Sequence, residues 1–227
     1  MVTASAPGKA YLFGEHAVVY GEPAVPCAID RRARATVEAR DDGRTTVSAP
    51  ALSLSGVTVE YGDDAPRVEV PTERARSALA YVEGAIEQAR DAVDADGDRG
   101  LSVTVESDLP LGAGLGSSAA VVVATLAAAC RELGAVPGEE ALAERAFRVE
   151  YDVQDGQASR ADTFCATMGG AVRVEGDDCR RLDAPDLPLV VGHDGGGGDT
   201  GELVAGVRAL REEYGFAADT VEAIGDI

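Results

Sequence analysis

The spacing of hydrophobic and polar residues predicts strands and helices in mixed order along the chain. Small apolar residues alternate with polar ones over 33–39 and over 102–106, which is typical of strands with one buried face. Apolar residues recur at helical spacing over 72–93, where Thr72 caps the first turn, and over 138–153. Further strands are predicted at 11–13, 45–48, 56–61, 171–175 and 187–192, and further helices directly after Gly116 and from Thr200. This pattern predicts an α+β protein.

A glycine-rich segment, PLGAGLGSSAA at 110–120, joins the strand over 102–106 to the long apolar helix. Its three glycines, at 112, 114 and 116, allow backbone conformations that are closed to residues with a side chain. Unpaired N–H groups and the helix dipole attract anions to a helix N-terminus, so a phosphate chain is the natural ligand of such a loop. A plain turn with a serine N-cap is the alternative, but three glycines alternating with small residues favour phosphate binding. The segment lacks the lysine of a P-loop and the spacing of a dinucleotide-binding loop.

The charge balance is strongly acidic, since 20 Lys+Arg against 40 Asp+Glu give a net charge of −20. The acidic residues are scattered rather than blocked, which predicts a globular protein adapted to high salt, where cations screen the self-repulsion. No basic patch exists to bind nucleic acid, which excludes that function class. No apolar run could span a bilayer and no leader opens the chain, so we expect a cytoplasmic protein without a membrane partner. Four widely spaced cysteines predict buried free thiols rather than a zinc site or disulfides.

Lys9 is the only lysine among the 20 basic residues. A surface cation can be either lysine or arginine, and this chain uses arginine everywhere else. A single lysine beside the turn at 7–8 therefore indicates a site that needs a compact ammonium charge instead of a planar guanidinium. Chance retention near the N-terminus is the alternative.

Two segments resemble motifs of the GHMP kinases, the family of galactokinase, homoserine kinase, mevalonate kinase and phosphomevalonate kinase. PLGAGLGSSAA resembles the ATP-binding motif, in which the loop wraps the nucleotide phosphates and the second serine, Ser118 here, reaches Mg²⁺. KAYLFGEHAVVYG, at 9–21, resembles the first motif in its mevalonate-kinase form, and Val18 stands where galactokinases carry an aspartate. The resemblance thus implies ATP and Mg²⁺ as cofactors and mevalonate as the acceptor. The residues that it assigns to the nucleotide are Ser107, Pro110, Leu111, Gly112, Ala113, Gly114, Leu115, Gly116, Ser117, Ser118, Ala119 and Ala120.

The resemblance also implies catalytic and substrate-binding roles. Lys9 would lie near the transferred phosphate, while Glu15 and His16 would hold the acceptor. Thr200, at a strand-to-helix junction, is a further candidate for contact with the substrate.

The expected general base is Asp162, for which a helix N-cap is the alternative role. The segment ASRADT at 158–163, with MGG following at 168–170, resembles the part of the family that carries the catalytic aspartate. The commoner form is P-S-G-x-D, and this chain departs from it at 158, 160 and 161 while keeping the carboxylate. Glu150, near the end of the preceding helix, is the expected second Mg²⁺ ligand beside Ser118.

The fold implied by the resemblance has two domains. An N-terminal domain over 1–183 would contain a βαβ unit of unusual left-handed crossing, and 184–227 would begin a ferredoxin-like domain that ends before the third family motif. The expected partners are the small-molecule acceptor and a second copy of the chain. The alternatives are another acceptor, such as phosphomevalonate or homoserine, or a non-catalytic nucleotide-binding remnant. An acidic interaction module would leave the glycine loop and Lys9 unexplained.

Overall fold

The computed structural model describes residues 1–49, 73–93, 99–110, 112–192 and 200–226. A mixed six-stranded sheet carries helices packed against it. The strands are β1 (Val2–Phe13), β2 (Val25–Arg40), β3 (Thr46–Ser48), β4 (Gly100–Ser107), β5 (Ala171–Glu175) and β6 (Asp178–Leu182). The helices are α1 (Glu73–Asp91), α2 (Ser117–Leu133), α3 (Glu139–Val153), α4 (Arg160–Met168), α5 (Thr200–Glu213) and α6 (Gly215–Gly225), with a short 3₁₀ helix at Ala17–Tyr20.

The long strand β2 organises the sheet. It pairs antiparallel with β1, with β4 and, near its start, with β5, while β3 pairs parallel with β4. Ala33, Ala35 and Val37 are fully buried on one face of β2, and the predicted alternation over 33–39 is therefore confirmed. The parallel β3 and β4 are joined through α1, which makes a βαβ unit whose left-handed crossing stays a prediction.

Helix α2 lies at the centre of the core. It contacts β1 and β2 on the sheet and has α1 and α3 beside it. Its run of alanine and valine is buried almost throughout, because small side chains let the helix approach the sheet and its neighbours closely. The helix ends at Gly134, which adopts the left-handed conformation common at helix C-termini. The predicted buried helix after Gly116 is confirmed.

The amphipathic patterns predicted for α1 and α3 are also confirmed where the structure describes them. Leu79, Val82, Ile86 and Ala89 form the buried stripe of α1. Helices α3 and α5 begin at the predicted positions. The predicted cap at Thr72 and the predicted strand at 56–61 lie outside the described residues.

The N-terminal strand is longer than predicted. The sequence predicts a short strand at 11–13 bounded by turns, whereas β1 runs without interruption from Val2 to Phe13. Pro7 and Gly8 do not end the strand, because a register shift between Pro7 and Lys9 absorbs them in the ladder with β2.

The predicted strand at 187–192 is wrong. These residues form neither strand nor helix, and Val190 is 98% exposed. A strand needs a neighbour to satisfy its N–H and C=O groups, and within the described ranges no strand lies alongside them. The Leu189 N–H instead donates to the carbonyl of Leu187 at 2.8 Å.

The prediction for the cysteines and the prediction on membrane-spanning segments can both be checked against the structure. Cys27, Cys130 and Cys165 are buried, Cys179 is half-buried, and all four are free thiols, as predicted. Among the described residues, no helix combines the length and apolar character that crossing a membrane would take.

Candidate active site

An ammonium and a carboxylate meet where β1 passes the start of α4. Lys9 Nζ lies 3.3 Å from Asp162 Oδ1, and the Tyr11 hydroxyl donates to the same oxygen at 2.8 Å. Lys9 Nζ also lies 4.1 Å from the centre of the Tyr11 ring, within cation–π distance. Lys9 is 4% exposed overall, whereas the Asp162 side chain is 27% exposed. The cation is therefore fixed inside the protein, and the carboxylate stays open to a ligand.

Local structure at the start of α4 leaves Asp162 available for this contact. Ser159 is the N-cap of the helix, and its hydroxyl accepts from the Ala161 N–H at 3.4 Å. Asp162 lies in the first turn, where the helix dipole favours a negative charge. Ser159 therefore caps the helix, and Asp162 does not serve as its N-cap.

A second polar pair lies between α2 and α3. The Ser118 hydroxyl, in the first turn of α2, donates to Glu150 Oε1 at 2.7 Å, and Glu150 is only 2% exposed. Burial, followed by the negative charge of Asp162, raises the pKa of Glu150 to about 8, while the Ser118 hydrogen bond and the Lys9 charge act in the opposite direction. A cation beside this buried carboxyl would offset both effects that raise its pKa. The Lys9 N–H donates to the carbonyl of Leu115, three residues before Ser118, so the two pairs form one cluster at the start of α2.

The Ser118–Glu150 pair fits Mg²⁺ by its chemistry. A hydroxyl and a carboxyl are hard oxygen ligands, and Mg²⁺ is usually held by one or two carboxylates together with substrate phosphate oxygens. Within the described ranges, no group of three or more His, Cys, Asp and Glu residues could hold a metal ion by itself. The remaining ligands would therefore come from phosphate and water.

The glycine loop lies directly beside Lys9. The Lys9 N–H donates to the Leu115 carbonyl at 2.9 Å, which ties the loop to β1. Gly112, Gly114 and Gly116 all have φ near +70°, a conformation that L side chains rarely adopt. The first helical hydrogen bond of α2 runs from Ala120 to Gly116, so the amides of 117–119 precede it and face the loop end of the helix. This arrangement can bind phosphate oxygens.

The predicted nucleotide residue Ser107 lies at the end of β4, before the glycine loop. The Ser107 hydroxyl accepts from the Leu109 N–H at 3.1 Å, which fixes the turn after β4. Leu111 lies outside the described residues.

Gly114 and Gly116, two glycines of the loop, provide a matched test of the position of Lys9. A Cβ added at Gly116 would lie 2.7 Å from Lys9 Cγ, whereas one at Gly114 would meet nothing within 4 Å. Both substitutions to Ala carry a left-handed backbone cost of about 1–2 kcal/mol in the free energy of unfolding. If the chain uses ATP, as its resemblance to the GHMP kinases implies, Gly116→Ala should lower kcat at saturating ATP by roughly tenfold more than Gly114→Ala, because only it displaces Lys9. Equal kcat values, with denaturation showing equal stability, would contradict the assigned position.

The structure describes the surroundings of Glu15 and His16, two of the three residues predicted to bind the acceptor. Glu15 is exposed and close enough to Tyr11 for its charge to act on the phenol, and the adjacent His16 is half-buried with φ +65°. Both precede the 3₁₀ helix at the same end of β1 as the Lys9–Asp162 pair. Thr200 begins α5, and its side-chain contacts lie outside the described part of the chain.

Tyr11 belongs to the cluster and was not predicted from the sequence. Burial, and next the charge of Asp162, raise the pKa of its phenol well above the ordinary value, so the hydroxyl stays a donor. The signal available in the sequence was spacing, since residues two apart on a strand share a face and Tyr11 follows Lys9 by two.

Comparisons with known proteins show which family the chain resembles. Residues 80–170 match the model of the GHMP kinases N terminal domain. The chain is 42% identical over 212 residues to a mevalonate kinase of Thermococcus gammatolerans, covering 93% of this chain and 63% of that protein. It is 39% identical to a mevalonate kinase of Methanothermobacter thermautotrophicus, covering 98% of this chain and 68% of the relative.

The chain belongs to the GHMP kinase family. Its fold is similar to that of the Methanococcus jannaschii mevalonate kinase crystal structure, with a TM-score of 0.70 at 20% identity over 99% of this chain and 70% of the other. The GHMP kinase fold expected from the sequence is thereby confirmed. The chain spans a little under two thirds of the Thermococcus relative's length.

Proposed function

We propose that the chain is a mevalonate kinase, which transfers the γ-phosphoryl group of ATP to the 5-hydroxyl of mevalonate. The observation that carries the proposal is the Lys9–Asp162 pair, 3.3 Å apart and beside the glycine loop. The acceptor is supported by the GEHAVVYG segment at 14–21 and by relatives that are named mevalonate kinases. The reaction would serve isoprenoid and hence lipid biosynthesis.

The proposed mechanism follows from the positions of the side chains. Phosphoryl transfer requires an acceptor hydroxyl that loses its proton as it attacks, with negative charge spread over the phosphoryl oxygens. Asp162 accepts the hydroxyl proton, and the buried ammonium of Lys9 stabilises the charge that develops on the transferred group. The amides at 117–119 hold the nucleotide phosphates. Ser118 and Glu150 would hold Mg²⁺, which would neutralise charge on the phosphate oxygens.

Replacing Glu150 with Gln tests the metal assignment. Gln keeps the size of the side chain and can accept from Ser118, so the fold is retained while the charge is lost. We expect the Mg²⁺ concentration for half-maximal activity to rise by at least about tenfold. The matched control is Glu140→Gln, on the exposed start of α3, which leaves the Mg²⁺ dependence unchanged. An unchanged Mg²⁺ titration in Glu150→Gln would remove Glu150 from the metal site.

An acceptor screen tests the substrate assignment. The full chain is incubated with ATP and Mg²⁺ and with mevalonate, phosphomevalonate or homoserine in separate reactions, and ADP release is measured. We expect ADP release with mevalonate and not with phosphomevalonate or homoserine. Turnover with phosphomevalonate or homoserine instead would keep the kinase and replace the acceptor.

The proposal also covers the cellular setting of the protein, its acceptor-binding residues, its domains and its assembly. The scattered acidic charge, with a net value of −20, supports a protein that works in the cytoplasm at high salt. Glu15, His16 and Thr200 are proposed to contact the acceptor. A domain division between 183 and 184 and a homodimeric assembly complete the proposal.

A further inference from the structure

Tyr11 contacts both reacting groups of the proposed site with one side chain. Its hydroxyl donates to Asp162 Oδ1 at 2.8 Å, and its ring lies 4.1 Å from Lys9 Nζ. The Lys9 ammonium approaches the same Oδ1 at 3.3 Å. One carboxylate oxygen thus receives two donors, and among the residues that the structure describes, none donates to Oδ2.

We infer that Tyr11 is a positioning residue that fixes the Asp162 carboxylate so that Oδ2 faces the acceptor hydroxyl. This inference rests on the proposed kinase function. A carboxylate at the start of a helix can rotate about its terminal torsion, which is broad in energy. Two donors on Oδ1 restrict that rotation, and the 27% exposure of the side chain leaves the other oxygen open to the acceptor. In the transfer step the hydroxyl proton moves to Oδ2, the new bond forms between the acceptor oxygen and the γ-phosphorus, and the bond from that phosphorus to the ADP oxygen breaks.

The Tyr11 ring has a separate effect from its hydroxyl. Its face holds the ammonium by a cation–π contact, and this contact does not depend on the hydroxyl. Removing only the hydroxyl therefore takes away one of the two donors to Oδ1, while Lys9 keeps its contact with the ring. The two effects can be separated by substitution.

Tyr11→Phe is the decisive variant. We expect kcat to fall about tenfold while the KM values for ATP and the acceptor change less than about twofold, because the hydroxyl orients the base and binds neither substrate. The matched hydroxyl deletion is Tyr151→Phe, on the exposed side of α3, and it leaves kcat unchanged. An unchanged kcat in Tyr11→Phe overturns the inference, as does a loss confined to KM.

A combined variant separates positioning from a structural effect. If Tyr11 acts through the carboxylate, Tyr11→Phe adds no further loss when Asp162 is already Asn, as measured by single-turnover reactions with excess enzyme. A further loss of about tenfold in that background overturns the inference, because the hydroxyl would then act elsewhere.

The wild-type reaction is measured first in the same preparation. Wild-type turnover with mevalonate upholds the proposed function, and the Tyr11 variants then decide the inference alone. Turnover with a different acceptor overturns only the substrate assignment, and the variants are assayed on that acceptor. A wild-type chain that transfers phosphate to no acceptor overturns the function and this inference together.

Discussion

Asp162→Asn is expected to abolish turnover while ATP still binds. Asn has the shape of Asp and can accept the hydrogen bond from Tyr11, so the start of α4 is preserved. It cannot accept the hydroxyl proton, and loss of a positioned base costs on the order of 10²–10⁴ in rate. We therefore expect kcat to fall by roughly 10³-fold, with the dissociation constant for ATP changed less than about threefold, as measured by coupled ADP assay and calorimetry.

The control for this variant is Asp91→Asn, at the exposed end of α1, which changes neither quantity. Full activity in Asp162→Asn would remove the general base from the proposed mechanism. Loss of ATP binding together with turnover would instead assign Asp162 to the nucleotide site.

Lys9→Met is expected to have the second largest effect. Lys9 is 4% exposed, and its ammonium lies 3.3 Å from Asp162 Oδ1. Removing a preorganised positive group from a site of developing negative charge costs about 10²–10³ in kcat. Met preserves the length of the side chain and its packing against Gly116, so we expect circular dichroism to show an intact fold.

Lys9→Arg separates charge from geometry. A guanidinium keeps the charge, but it is larger and planar, and the loop closes tightly on the Lys9 side chain at Gly116. We expect Arg to recover less than about a tenth of the lost kcat, because its charge is displaced. Near-complete recovery would mean that any cation suffices, and a mild effect of Lys9→Met would favour chance retention of the lysine.

Local pattern was sufficient to predict the parts of the fold that depend on one buried face. The alternation over 33–39 indicates β2, because burial on one side of a sheet repeats every two residues. The same reasoning failed at 187–192, where an apolar run has no strand beside it in the described structure. It also failed at Pro7, because pairing with β2 carries the strand through a residue that usually interrupts one.

The candidate site was predictable in its residue types and not in its contacts. Lys9 was indicated by composition, and Asp162 by resemblance alone. Tyr11 and Asp162 are 151 positions apart, and only the packing of α4 against β1 brings them together. Ser159 shows the same limit, since propensity allows either it or Asp162 to cap α4 and the geometry selects Ser159.

The most direct test of the proposed function is ADP release from ATP and mevalonate by the full chain, in molar KCl with Mg²⁺. High salt is included because we propose that the protein works at high salt, where cations screen the self-repulsion of its net charge of −20. We expect mevalonate-dependent turnover that is lost in Asp162→Asn. ATP binding without mevalonate-dependent turnover would contradict it and would show a nucleotide-binding protein that does not catalyse this transfer.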